Sequence, residues 1–132
     1  MKSVVTLVAL FSACSIVSAQ TAYLCIPNGA SGISWNASKK KWGHTNFNVS
    51  NVKHLLKKTG DGWEWSKFGQ SSGIKCDEIN DYGYLNCTLY FGDLRFNKKN
   101  LRYMTSYFIG YVDGKDNDDN TPNIEFGECS PL

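Results

Sequence analysis

A hairpin pattern in residues 90–112, YFGDLRFNKKNLRYMTSYFIGYV, constrains this chain more than any other stretch. Asn97-Lys98-Lys99-Asn100 is a polar, turn-forming run between β-branched and aromatic residues. With Phe96 opposite Leu101, Leu94 faces Tyr103, Gly92 faces Thr105 and Tyr90 faces Tyr107. Side chains alternate along a strand, so these pairs share one face. The other face then carries Arg95 opposite Arg102, with Asp93 diagonal to Arg102 and relieving the like-charge pair. One register thus separates an apolar face from a polar one, as a half-buried sheet demands. This hairpin is expected to be the longest regular element of the chain.

Short strands are also expected on either side of it. Residues 21–26 form a first strand, and Pro27-Asn28-Gly29 turns the chain, because Asn-Gly favours the positive φ of tight turns. Ile33 and Trp35 belong to a second strand, residues 36–41 to a polar loop, and residues 42–47 to a third strand. Residues 52–58 read as a strand, although Val52, Leu55 and Leu56 also fit a helical stripe. Thr59-Gly60-Asp61-Gly62 then supplies a hairpin turn into Trp63-Glu64-Trp65. A Gly/Ser loop at 69–73 precedes strands at 74–78 and 84–89. After the central hairpin, residues 113–121 form a polar loop, and a last strand ends at Cys129. Turn signals every 8–12 residues predict an all-β fold: a small antiparallel barrel or sandwich of about 8–10 short strands. A barrel is favoured because it removes sheet edges.

The chain has 132 residues, enough for one domain. Met1-Lys2 gives a positive start, residues 3–19 are uncharged and mostly apolar, and Val17-Ser18-Ala19 fits a small-x-small cleavage site. Residues 1–19 therefore read as a secretory signal peptide, and residues 20–132 as a single exported β-domain, periplasmic or secreted. The apolar run is short of the ~20 residues that a membrane span needs, so no transmembrane segment is expected after processing. Lipid attachment at Cys14 is the competing reading, since Leu10-Phe11-Ser12-Ala13-Cys14 loosely resembles a bacterial lipobox.

Of five cysteines, Cys25, Cys76, Cys87 and Cys129 remain after cleavage. An even count in an exported chain implies two disulfides, with three pairings open. No two cysteines form C-x-x-C, and His44 and His54 lie near none of them in sequence, so no zinc site or other metal site is read. Cys76 and Cys87 flank a short hairpin-like excursion, which makes their pairing the simplest closure. Cys25 is then left with Cys129, joining the first and last strands, which are neighbours in a closed barrel.

Charge is nearly balanced. Without Lys2, thirteen basic residues stand against twelve acidic ones. Together with export, that argues against a nucleic-acid partner or an anionic lipid surface. The lysines gather in the first half and the acids at the end, as solvated turns and edge strands do.

Tyr23-Leu24-Cys25, Arg95-Phe96-Asn97 with Leu101-Arg102-Tyr103, Gly110-Tyr111-Val112, and Thr121-Pro122 with Ile124-Glu125, Gly127 and Cys129-Ser130 together resemble a group of short exported bacterial proteins. That resemblance implies an exported β-domain and carries no activity with it. The Tyr-x-Cys start on a small β-domain also resembles the bacterial inhibitors of C-type lysozyme, which are eight-stranded barrels. The inhibitory loop motif of that family has no counterpart in this sequence.

Several motifs reduce to simpler readings. Gly69-Gln70-Ser71-Ser72-Gly73 matches G-x-S-x-G, but both histidines precede Ser71 and no large α/β sheet is in prospect, so a flexible loop is expected. Asp116-Asn117-Asp118-Asp119-Asn120 begins like a calcium loop. Thr121 and Gly127 stand where an EF-hand needs Gly and Glu, which excludes that motif. Asn36, Asn48 and Asn86 open glycosylation sequons that matter only in a eukaryotic secretory pathway.

The sequence holds four tryptophans, Trp35, Trp42, Trp63 and Trp65. Trp63 and Trp65 project to one face, and Trp63 follows a turn, where residues are wetter than in mid-strand. Trp63 and Trp65 are accordingly the expected ligand contacts, with Lys57 and Lys58 beside them, and Trp35 is the expected core residue. No catalytic constellation is found and no cofactor is expected. The chain reads as a monomeric, non-enzymatic binding module for a glycan or a protein at the cell envelope or outside it. The alternatives are an inhibitor of a hostile hydrolase such as lysozyme, and a small hydrolase using Asp77, Glu78 and Asp81.

Overall fold

The computed structural model describes residues 21–132. The expected signal peptide, its cleavage before Gln20 and the lipid alternative at Cys14 lie outside the described residues. Among the described residues the fold is all-β, and no helix is long and apolar enough to cross a membrane.

Nine antiparallel strands follow in order. They are β1 (Ala22–Asn36), β2 (Lys41–Phe47), β3 (His54–Thr59), β4 (Gly62–Lys67), β5 (Ile74–Cys76), β6 (Tyr84–Leu89), β7 (Gly92–Asn97), β8 (Arg102–Tyr107) and β9 (Asn123–Pro131). Eight of them run in the order β5-β4-β3-β1-β9-β8-β7-β6, and β2 pairs only with the second half of β1. The sheet curls until β5 meets β6. There Asp77 N–H donates to Asn86 O at 3.2 Å, and the Cys76–Cys87 disulfide bridges the same seam. The result is a nearly closed barrel with two disulfides, paired as the sequence suggests. Cys25 and Cys129 sit directly opposite each other on β1 and β9, so the first and last strands are neighbours.

Alternation explains the core. Tyr23, Cys25, Leu56, Trp63, Trp65, Leu85, Cys87, Leu94, Phe96, Tyr103 and Cys129 all point inward and form one buried cluster. Tyr23 packs between Trp63 and Phe96, with ring centroids 5.7 and 5.1 Å away. Rings of this size fill the interior of a small barrel, where each aromatic buries ~150–250 Å².

Three sequence expectations are corrected. First, the central hairpin pairs Phe96 with Tyr103 and Leu94 with Thr105, not with Leu101 and Tyr103. The slip is two residues, so every side chain keeps its face, but Arg95 now faces Met104 and Arg102 faces Asn97. The turn chemistry sets this register. Asn97 O accepts Leu101 N–H at 2.8 Å, Asn97 Oδ1 accepts Lys99 N–H at 2.8 Å, and Leu101 takes a left-handed φ of 61°.

Second, the hairpin is not the longest element; β1 is, with 15 residues, because Pro27-Asn28-Gly29 does not turn. Asn28 is instead the extra residue of a bulge: Pro27 pairs with Gly127 and Gly29 with Phe126. Gly29 is used for close approach: a Cβ there would sit 3.2 Å from the Phe126 ring. Third, Trp63 and Trp65 are core residues, 5% and 6% exposed, while Trp35 is only half-buried. The turn before Trp63 lies at the surface, but Trp63 is inward by register and its ring reaches back over the core.

Candidate functional site

The two ends of the barrel differ. At one end the β3–β4 and β7–β8 turns fold over Trp63, Tyr23, Phe96 and Leu85, and the partly buried Ile79 and Leu101 seal it. The other end is where β3 and β9 begin and where β4 and β8 finish. It keeps a recess of about 370 Å³, lined by His54, Trp65, Ile74 and Leu89 and rimmed by Lys67, Gln70, Ser72 and Tyr90. That volume lies within the ~300–1,000 Å³ range of small-ligand sites, which recur in the mouths of β-barrels.

Inward register carries a polar cluster to this mouth. His54 precedes Leu56 by two residues on β3, and Glu125 precedes Gly127 by two on β9, so both face inside. His54 Nε2 lies 2.8 Å from Glu125 Oε1, and the Tyr103 hydroxyl donates to the same oxygen at 2.9 Å. Burial, the nearby Glu125 charge and that hydrogen bond, in this order, push the Tyr103 phenol well above its usual pKa. The His54 ring stacks on Trp65 with centroids 4.5 Å apart, and Trp65 meets Tyr103 at 5.2 Å. His54 Nδ1 is buried and has no hydrogen-bond partner among the described residues. The cluster therefore holds Trp65 rigidly in the wall of the recess, with the polar groups of His54, Glu125 and Tyr103 behind it.

Exposed aromatics concentrate around the same end. Tyr90 and Phe91 form the β6–β7 turn, Phe68 follows β4, and Phe108 follows β8; they are 86%, 52%, 56% and 49% exposed. Beyond them projects the β1–β2 ribbon, whose Trp35 and Trp42 meet edge to face at 5.9 Å. The 108–122 loop holds this ribbon. Trp42 Nε1 donates to Asp116 Oδ1 at 2.9 Å, Trp42 packs on Tyr111 at 5.7 Å, and Ile33 N–H donates to Pro122 O at 3.0 Å. Asp116, the first residue of the calcium-like run, is thus occupied as an acceptor. Among the described residues no group of three or more His, Cys, Asp or Glu side chains could hold a metal.

The four residues expected to bind ligand are separated by the barrel. Trp65 lies in the mouth, and Trp63 is packed at the opposite, sealed end. Lys58 lies over Trp63 at 5.8 Å and pairs with Glu78. Lys57, from the outer face, pairs with Glu64 at 3.1 Å. The carboxylates of Asp77, Glu78 and Asp81 are exposed beside the sealed end and do not line the recess. Sequence reasoning missed His54, Glu125, Leu89 and Tyr90. The signal for His54 was its inward phase with Leu56 in the strand expected over residues 52–58. The Gly/Ser loop read as a mere connection contributes Gln70 and Ser72 to the rim. No family model, curated protein or solved structure matches the chain.

Proposed function

We propose that this protein is an exported, non-enzymatic binding module that takes a saccharide unit of a glycan in the barrel mouth. The observation that carries the reading is the recess itself: the buried Trp65, fixed by the stacked His54, in its wall, with the exposed Tyr90 ring on the rim and Lys67, Gln70 and Ser72 around it. Sugars present an apolar C–H face and a ring of hydroxyls, and this combination of aromatic surface and short polar side chains serves both. Two disulfides fit an oxidising compartment outside the cytosol. The test is a screen of neutral and amino-sugar oligosaccharides against the wild type, Tyr90→Ala and Gln70→Ala. Binding by the wild type that both substitutions weaken, with melting unchanged, supports the reading. Binding that neither substitution alters refutes it.

The β1–β2 ribbon favours a second reading, inhibition of a hostile hydrolase such as lysozyme. It projects past the mouth, is held by the 108–122 loop, and ends in the exposed turn at 37–40. A stiff projecting finger of this kind suits an enzyme cleft, because little order is lost on docking. A lytic assay with and without the domain separates the two readings.

A further inference from the structure

The outer wall of the barrel carries a groove that the mouth does not use, and we propose that it binds an acidic polysaccharide laid across the strands. Two neighbouring rows of side chains form it. Phe126, Met104 and Arg95 stand side by side on β9, β8 and β7. The next row holds Glu128, Arg102, Asn97 and Tyr84, on β9, β8, β7 and β6, so that the two arginines of the groove stand against one carboxylate. The groove encloses about 500 Å³. A second recess of about 560 Å³ continues it over β1 and β2, sharing Asn28 and Phe126 and adding Asn46 and Asn48. From β2 to β7 the path crosses four strand spacings, ~19 Å, which is chain-length rather than monomer-length.

The floor is apolar and exposed: Met104 and Phe126 are 52% and 47% exposed. The Phe126 ring lies against Gly29 at the bulge of β1. Above this floor stand two guanidinium groups. Arg95 makes no ion pair or side-chain hydrogen bond among the described residues. Among the described residues the Arg102 guanidinium pairs with Glu128 alone, at 3.7 Å between two exposed side chains, a contact that gives way readily to a better partner. Guanidinium forks match carboxylates in two-bond geometry. The side-chain amides of Asn28, Asn97 and Asn46 suit hydroxyls.

A peptide fits less well. Strands β7, β8 and β9 are each hydrogen-bonded on both sides, so the wall offers no free edge to which an extended peptide could add its backbone. A uronic-acid chain needs no such edge. It presents carboxylates to Arg95 and Arg102, hydroxyls to the amides and a C–H face to Phe126.

The test is affinity electrophoresis and calorimetry of the mature protein with polygalacturonate, using dextran as the neutral control and oligothymidylate as the charge control. The expected result is binding to polygalacturonate that is tighter than any binding to dextran and that depends on Arg95 and Arg102. Arg95→Ala with Arg102→Ala should weaken it about tenfold or more, since each removes a charged hydrogen-bond donor. Phe126→Ala should weaken it as well. Failure to bind polygalacturonate overturns the proposal. So does binding that ignores Phe126 and extends equally to oligothymidylate, which marks charge attraction without a site. The mouth reading stands or falls separately, because its variants lie at the end of the barrel.

Discussion

Trp63→Ala should be among the most destabilising single truncations in this domain. Trp63 is 5% exposed and packs against Tyr23, which packs in turn against Phe96. Removing the indole takes ~150–250 Å² of aromatic surface out of the core, or roughly 4–6 kcal/mol at about 25 cal/mol per Å². Partial collapse of the site brings the expected loss to about 3–5 kcal/mol. For a domain of this size that corresponds to a fall in Tm of roughly 12–20 °C. Trp35→Ala, on the half-buried ribbon where its neighbour is Trp42, should lower Tm by less than half as much. The assay is a thermal melt of both variants beside the wild type with disulfides intact, checked by urea unfolding. A Trp63→Ala protein that melts within a few degrees of the wild type, or above Trp35→Ala, would refute the placement of Trp63 in the core and the inward phase of β4.

Three further outcomes follow from the same geometry. Replacing Cys76 and Cys87 together by serine should cost about 3 kcal/mol on the chain-entropy scale and loosen the β5–β6 seam, read as faster amide exchange at Asp77. The raised Tyr103 phenol makes stability fall with alkali. Below its ordinary pKa of 10.0 the contribution is complete, and above that value the unfolded chain releases a proton that the native state retains. Urea midpoints from pH 8 to 11 should therefore decline less steeply for Tyr103→Phe than for the wild type. Lys40 holds a left-handed φ of 47° at the exposed ribbon tip, so Lys40→Asn should raise stability by up to about 1 kcal/mol in urea unfolding.

What the sequence made legible was whatever depends on alternation and on local turn chemistry. The inward set Leu94, Phe96 and Tyr103 is right even though the register is displaced by two, because a two-residue slip preserves faces. The disulfide pairing was legible because Cys76 and Cys87 bracket a short excursion, leaving only Cys25 for Cys129. Long-range packing was not legible. Asn28-Gly29 has the composition of a tight turn, but its glycine instead gives room to the Phe126 ring, which arrives from β9 nearly a hundred residues later. Surface position of the Gly60-Asp61 turn says nothing about where the Trp63 ring points. The mouth was hidden for the same reason: His54, Trp65 and Glu125 come from three strands and meet only when the barrel curls.

Binding at the mouth can be mapped directly by amide shift perturbation in two-dimensional NMR, with the oligosaccharide panel titrated into the isotope-labelled protein. The account predicts that shifts concentrate at Trp65, Gln70, Ser72, Leu89 and Tyr90. It predicts that the Trp63 indole at the sealed end stays still while the Trp65 indole moves. A ligand whose shifts centre on Trp63 and Lys58, or a panel that moves no resonance at the mouth, would contradict it.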